Sequence, residues 1–431
     1  MHKRNIILFL ILSLIITALT GCFDSREIDD LVYALSVGVD KGTYSKVRLT
    51  VQYPIYKIGG NSGGSSQKEP EGSKGKNAQS GSNVTTIEAP TMLEAVDMLN
   101  AGVSRRISLV HTKWYIFSEE FAREGIDTYI SGLDRFRETR GSSAIVVARG
   151  TAEDFIKANE STIGDSLSKQ IELHLMQSST SGFFPDARFT KFYAGMFSPY
   201  RSPIALYGGV NNLEQPYDKP AESKSLMDHG NLTPGELPMS GVSKIELAGL
   251  AVFDGGKMVG SMDPHETACY MMIMGKYNGG RFSLPDKHSP DRAIIFDIHK
   301  SRGTRFRAYF KGGKPHIDVN VRLESEVYAI QSRFDYEQLS NQSDLESQIR
   351  EYLLDCMNKT VKKTQKELHT DIFGFGEWIA GNFSTIGKFE SYNWLSHYPE
   401  AVVNISLDVK VRRTGLIFHS SPLFDSSGKG D

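Results

Sequence analysis

The cysteine at position 22 is the residue with the plainest chemistry. Leu19-Thr20-Gly21-Cys22 closes an apolar run from Ile6 to Leu19 that is interrupted only by Ser13 and Thr17 and preceded by Lys3 and Arg4. A basic start, a short apolar stretch and small residues form the pattern of a cleaved secretion signal. With a cysteine just after Gly21, it reads as a bacterial lipoprotein cleavage site with Cys22 as the lipid attachment residue. Cleavage frees that thiol for a diacylglyceryl group, and two acyl chains anchor a protein stably where one is marginal. The run is shorter than the roughly 20 apolar residues of a transmembrane helix, so the sequence predicts a tether and not a span.

Four other patterns imitate sites. Gly164-Asp165-Ser166-Leu167 matches the nucleophile block of GDSL-type esterases, but no Asp-x-x-His occurs anywhere in the chain to supply the histidine. Asp165 is expected instead as the N-cap of a helix that buries Leu167, Ile171 and Leu175. Ser166-x-x-Lys169 imitates the serine and lysine of penicillin-binding proteins without their Ser-Asp-Asn and Lys-Thr-Gly partners. His265 and Cys269 have ligand spacing on a helix, yet no second pair, Cys-x-x-Cys or His-Glu-x-x-His follows. Gly374-x-Gly376 lacks the third glycine and the preceding strand of a dinucleotide fingerprint. No nucleophile, base and orienter assemble, so the reading is of a protein that is not an enzyme, with no catalytic, cofactor-binding or metal residues.

The chain has 431 residues and a formal net charge of -2. That length suits several domains, and the balance gives no field for nucleic acid. Beyond Cys22 only Cys269 and Cys356 remain. Cys269 sits in an apolar run and Cys356 on the apolar side of a helix, so two buried thiols are the simpler reading; whether they pair is left open.

The elements that must carry these residues follow from periodicity. Val32 to Val39 and Val47 to Tyr53, joined across Asp40-Lys41-Gly42, form a hairpin signal. The Gly- and Ser-rich stretch 59–83 has almost nothing to bury and is expected as a flexible insertion. Thr91-x-x-Glu94 opens an amphipathic helix to Gly102; a strand at Trp114 to Phe117, a helix from Ser118, a strand at Ala144 to Val147 and a helix capped by Thr151 follow. Residues 199–239 read as a long connection or domain junction. A hairpin at Ile245 to Gly260 precedes a methionine-rich helix from Glu266 to Met274. Thr304 to Phe310 and Ile317 to Leu323 alternate around Lys311-Gly312-Gly313-Lys314 and are expected to pair antiparallel. Ser343-x-x-Glu346 is expected to start a helix of about 25 residues, ~38 Å long. It should cover the alternating strand Val403 to Val411. Phe373, Phe375 and Trp378 admit two readings, a partner surface or a helix stop at Gly374 folded back on the core; the second is favoured, and exposure of Tyr392 and Trp394 would shift the balance toward the first.

The fold class is therefore multi-domain α+β, with mixed or antiparallel sheets each covered by helices and a C-terminal sheet packed by one long helix. The expected partition is a lipoprotein signal peptide at 1–21, an N-terminal α+β domain at 22–200 carrying the insertion, a middle domain at 201–290 and a C-terminal α+β domain at 291–431.

Several segments together resemble the Ger(x)C family, the lipoprotein C subunits of nutrient germinant receptors in endospore-forming bacteria. Gly21-Cys22-Phe23-Asp24-x-Arg26-Glu27-Ile28 is similar to the family's start, where tryptophan is more usual at position 23. Ser118 to Ile126 resembles its first-domain helix, and Gly249-Leu250-Ala251-Val252-Phe253 with Lys257-Met258-Val259-Gly260 its middle segment. Asp371-x-Phe373-Gly374-Phe375-Gly376-Glu377 and Val409-Lys410-Val411-Arg412-Arg413-Thr414-Gly415 resemble its ending. The insertion at 59–83 and a shortened, less basic stretch between Trp378 and Trp394 depart from the pattern. The resemblance implies a non-enzymatic subunit on the outer face of the spore inner membrane, anchored through acylated Cys22 and assembled with membrane-embedded receptor subunits. It carries over no cofactor and no ligand-contacting residue. A rival from another class is a lipid-anchored solute-binding protein that captures the germinant, which would need a concave, partly apolar cleft.

Overall fold

A computed structural model describes residues 4–7, 9, 13, 28–55, 81–161, 166–211, 233–237, 239, 241–415, 417 and 419–420. Cys22 and most of the 59–83 insertion lie outside them.

The first lobe is built on strands β1 (Leu31–Tyr33), β2 (Ser36–Lys41), β3 (Val47–Pro54), β4 (Ser82–Ala89), β5 (Arg106–Ser108), β6 (Trp114–Ser118), β7 (Ala144–Arg149), β8 (Ile204–Val210), β9 (Ile245–Asp254) and β10 (Lys257–Met262). Eight of them form one mixed sheet in the order β10-β9-β8-β7-β6-β2-β3-β4. The expected hairpin is β2 with β3, antiparallel. Leu31–Tyr33 leaves that run and pairs in parallel with β5, a contact no local pattern announces.

Alternation sends the sheet's side chains to two cores. Tyr115, Phe117, Ile145 and Val147 face one core, with helices α1 (Met92–Leu99), α2 (Glu119–Glu124) and α3 (Asp127–Arg135). Trp114, Ile116, Val146 and Leu206 face the other, with α4 (Ala152–Ala158) and α5 (Leu167–Met176); helix α6 (Phe189–Met196) returns to the first. The caps read from sequence hold: Thr91, Ser118 and Thr151 each accept from the backbone N–H three residues on. At α4 the buried Asp40 carboxylate adds two more acceptors, taking the N–H groups of Ala152 at 2.7 Å and Glu153 at 2.9 Å.

The second lobe is the sheet β11 (Gly280–Asp286), β12 (Ser289–Lys311), β13 (Lys314–Ile330) and β14 (Val402–Arg413), in that order. Strands β12 and β13 pair antiparallel as expected, turning at Gly312 and Gly313 with φ of 59° and 78°. Two successive left-handed residues are what a tight hairpin turn requires, and glycine adopts them without strain. Strand β14 runs parallel to β13, so the chain must cross over, and the crossover begins with a long helix.

The 201–290 span expected as a middle domain has no sheet of its own among the described residues. Its strands β8, β9 and β10 complete the first sheet, while α7 (Pro264–Ile273) and β11 belong to the second lobe. The reason lies in β9, an unbroken run from Ile245 to Phe253 buried on both faces. Ala251 and Phe253 enter the first lobe's core, whereas Leu250 and Val252 enter the second's. Such a run suits a strand covered from both sides.

Candidate functional site

The site-like patterns that fall among the described residues have structural roles. Ser166, not Asp165, is the N-cap of α5, its side chain accepting from Lys169 N, and Asp165 lies outside the described residues. Lys169 points its ammonium at Glu172, so the serine and lysine serve the helix. Cys269 is bonded to Cys356 in a disulfide with a Cα separation of 6.4 Å, which corrects the reading of two buried thiols. The two cysteines are 87 residues apart in sequence, and only the packing of two helices reveals that they meet. The sulfur is thereby taken, and the His265–Cys269 spacing does not make a metal pair.

That bond ties α7 to the long helix α8 (Leu339–Lys366), which has 28 residues and packs on β14 through Leu345, Ile349, Leu353, Met357 and Val361. The helix starts four residues before the expected Ser343, and Glu346 closes no capping box there: its carboxylate takes the Lys410 ammonium at 2.9 Å and Val411 N at 3.1 Å, fastening the helix to the strand below. At the other end Asp263 and Glu266 form a full capping box on α7. Glu266 also accepts from Lys363 of α8 at 2.6 Å. Burial pushes the Glu266 carboxyl up, against the pull of that lysine.

The long helix ends at Lys366 with His369 beyond it in the left-handed region, not at Gly374. Gly374 instead precedes the short helix α9 (Phe375–Ile379) with φ of 72°. The segment from Asp371 to Gly376 is a loop wound around one carboxylate. Asp371 is fully buried; Oδ1 accepts from the N–H groups of Phe373 (3.0 Å) and Gly374 (2.9 Å), and Oδ2 from Gly376 N–H (3.1 Å) and the Trp394 indole (2.8 Å). Burial pushes this carboxyl up to about 7, while all four donors act to lower it. A Cβ on Gly376 would stand 2.4 Å from both Trp394 Cδ1 and the Tyr200 carbonyl oxygen. Trp394 is 1% exposed and Tyr392 is half-buried. The motif thus closes the lobe's core, although Trp378 at its rim is 49% exposed and lies against Phe306.

Where the lobes meet there is a cleft of about 1080 Å³. The first lobe supplies the chain just ahead of β6, β7 and β8, with residues such as Thr112, Ser143 and Pro203. The second supplies Tyr270, Met271 and Met274 at the end of α7, and Ile372 and Phe373 from the Asp371 loop. The opening therefore lies at the amino ends of the parallel strands, opposite to the carboxyl ends where open α/β sheets hold nucleotides. No sequence window contains this cleft, because its lining is drawn from separate segments scattered between His111 and Phe373. No group of three or more His, Cys, Asp or Glu suited to a metal occurs among the described residues. Among them too, no helix is long and apolar enough to cross a membrane.

Comparison with known proteins covers both lobes. Residues 24–209 match the family model "Spore germination protein N-terminal domain", and residues 248–415 match "Spore germination B3/ GerAC like, C-terminal". Spore germination protein KC of Bacillus subtilis is 25% identical over 422 residues, spanning 96% of this chain and 97% of that one. Spore germination protein GerQC of Bacillus cereus is 21% identical, spanning 95% and 98%. Among solved structures, the crystal structure of the GerBC protein covers 87% of this chain and 96% of its own with a TM-score of 0.51 at 16% identity, a likeness of fold.

Proposed function

Because the chain belongs to the Ger(x)C family of spore germination proteins, we propose that it is a lipid-anchored, non-enzymatic subunit of a nutrient germinant receptor. Acylated Cys22 holds it on the outer face of the spore inner membrane, and it acts by assembling with membrane-embedded receptor subunits. The observation that carries this reading is similarity to a spore germination protein over 96% of the chain, with both lobes represented. Two further features support it. The Leu19-Thr20-Gly21-Cys22 pattern offers an anchor to a chain whose described helices do not span a bilayer. The Cys269–Cys356 disulfide suits a compartment outside the reducing cytosol.

Tethering confines the two lobes to a thin layer at the membrane and raises their concentration beside partners without any new contact. Cys22→Ala is expected to move the protein from the membrane fraction of dormant spores to the soluble fraction and to slow nutrient-triggered germination. Full retention with an undiminished response overturns the proposal. The capture of a small solute is a second reading, favoured by the inter-lobe cleft and its partly apolar lining.

A further inference from the structure

The cleft between the lobes is lined by far more positive than negative charge. Lys113, Arg140, Arg188 and Lys191 reach it from the first lobe, and Arg201, Lys276 and Lys300 from the junction and the second lobe. Against these seven cations stand only Glu172 and Asp186, in a chain whose formal net charge is -2. The two acids are already engaged. Asp186 takes both Arg188 at 3.0 Å and Lys191 at 2.8 Å, and Glu172 stands 3.9 Å from Lys113. Arg201 reaches Glu377 at 3.5 Å. Arg140, Lys276 and Lys300 have no carboxylate within salt-bridge distance among the described residues.

Lys276 shows the strain of this arrangement. Desolvation, with Lys191 and Arg201 nearby, holds its ammonium below the usual lysine range, against weaker help from Glu377 and Asp186. Across the cleft, burial together with Arg140 and Lys113 does the same to His111. A position just beyond the carbonyl end of α7 accounts for one cation, since helix C-termini favour positive charge. No helix end accounts for Arg140 or Lys300. Met271, Met274 and Ile204 line the same cleft with apolar surface. A cavity at a domain boundary, partly apolar and carrying convergent charges of one sign, has the form of a ligand site.

We propose that the inter-lobe cleft binds a small organic anion, bearing carboxylate or phosphate groups on an apolar frame, with Arg140, Lys276 and Lys300 as the cations that recognise it. The inference deepens the solute-capture reading and does not depend on the receptor reading. Calorimetry on the full-length chain in detergent, with citrate and with inorganic phosphate as probes and glucose as a neutral control, tests it. At least one anion is expected to bind, with affinity falling about tenfold or more in Lys276→Gln and in Lys300→Gln and falling further with added salt. Lys388→Gln, on the helix Ile386–Tyr392 and outside the cleft, should bind as the parent does. Preference for citrate identifies a carboxylate ligand and preference for phosphate a phosphorylated one. No heat from either anion at about 10 mM, binding of glucose alone, or anion binding unchanged in the Lys276→Gln/Lys300→Gln double variant overturns the proposal. A chain that associates with receptor subunits in the spore membrane yet ignores both anions refutes the cleft assignment and leaves the receptor reading standing.

Discussion

The carboxylate of Asp371 and the ammonium of Lys276 lie on adjoining parts of the molecule, and their surroundings are opposite. Asp371 is sealed in the second lobe with four N–H donors aimed at its two oxygens. Lys276 sits in an open cleft beside Lys191 and Arg201 with no acid in contact. A buried charge whose hydrogen bonds are all made organises the chain around itself, and removing it strands its partners. Arg140 and Lys300 in the same cleft have neither a carboxylate within salt-bridge distance among the described residues nor a helix end to account for them, so their presence calls for an account outside the fold. The same chain thus carries one buried carboxyl that structure explains and two cleft cations, Arg140 and Lys300, that structure alone does not.

Substitutions should separate the two. Asp371→Ala leaves three backbone N–H groups and an indole N–H buried without acceptors, and is expected to destabilise the protein by about 3–5 kcal/mol, read as a lowered midpoint in urea unfolding. A loss below about 1 kcal/mol would mean that the loop is not organised by its carboxylate. Cys356→Ser should have the next largest effect. The disulfide closes a long loop across an 87-residue separation, and its removal is expected to lose about 2–4 kcal/mol, with reductant producing the same shift in the parent and none in the variant. Lys276→Gln should come last, changing stability by no more than about 0.5 kcal/mol while still impairing anion binding. A large loss of stability there would mean that the cleft cations are structural, and the contrast with Asp371 would fail.

What could be read from the sequence was whatever its own neighbours decide. The N-caps at Thr91, Ser118 and Thr151, the alternating strands around Gly312-Gly313 and the long apolar stripe from Leu345 to Val361 are local periodic signals, and they appear where expected. The start of α8 at Leu339 lies before the expected Ser343, and Glu346 serves β14 instead of a helix end. The parallel pairing of β1 with β5, the joining of β9 and β10 to the first sheet, and the meeting of Cys269 with Cys356 depend on segments brought together only by folding. The candidate site divides the same way. The Asp371 segment stood out as a motif, but its role as an acceptor for four donors arises only when Trp394 and the loop fold around it. The cleft needed both lobes in place, since each contributes only scattered lysines and arginines. Cys22 remains a reading of the sequence.

Strand β9 places consecutive side chains in two different cores, and one residue, Asp263, separates β10 from α7. Asp263 is itself locked by hydrogen bonds in both directions with Glu266, and a second tie joins Ser202 N–H to the Asp371 carbonyl at 2.8 Å. The lobes are therefore joined both by a one-residue link and by a hydrogen bond across the junction. A displacement of either lobe pulls on both links, so a neighbour pressing on one end would be felt mechanically at the other.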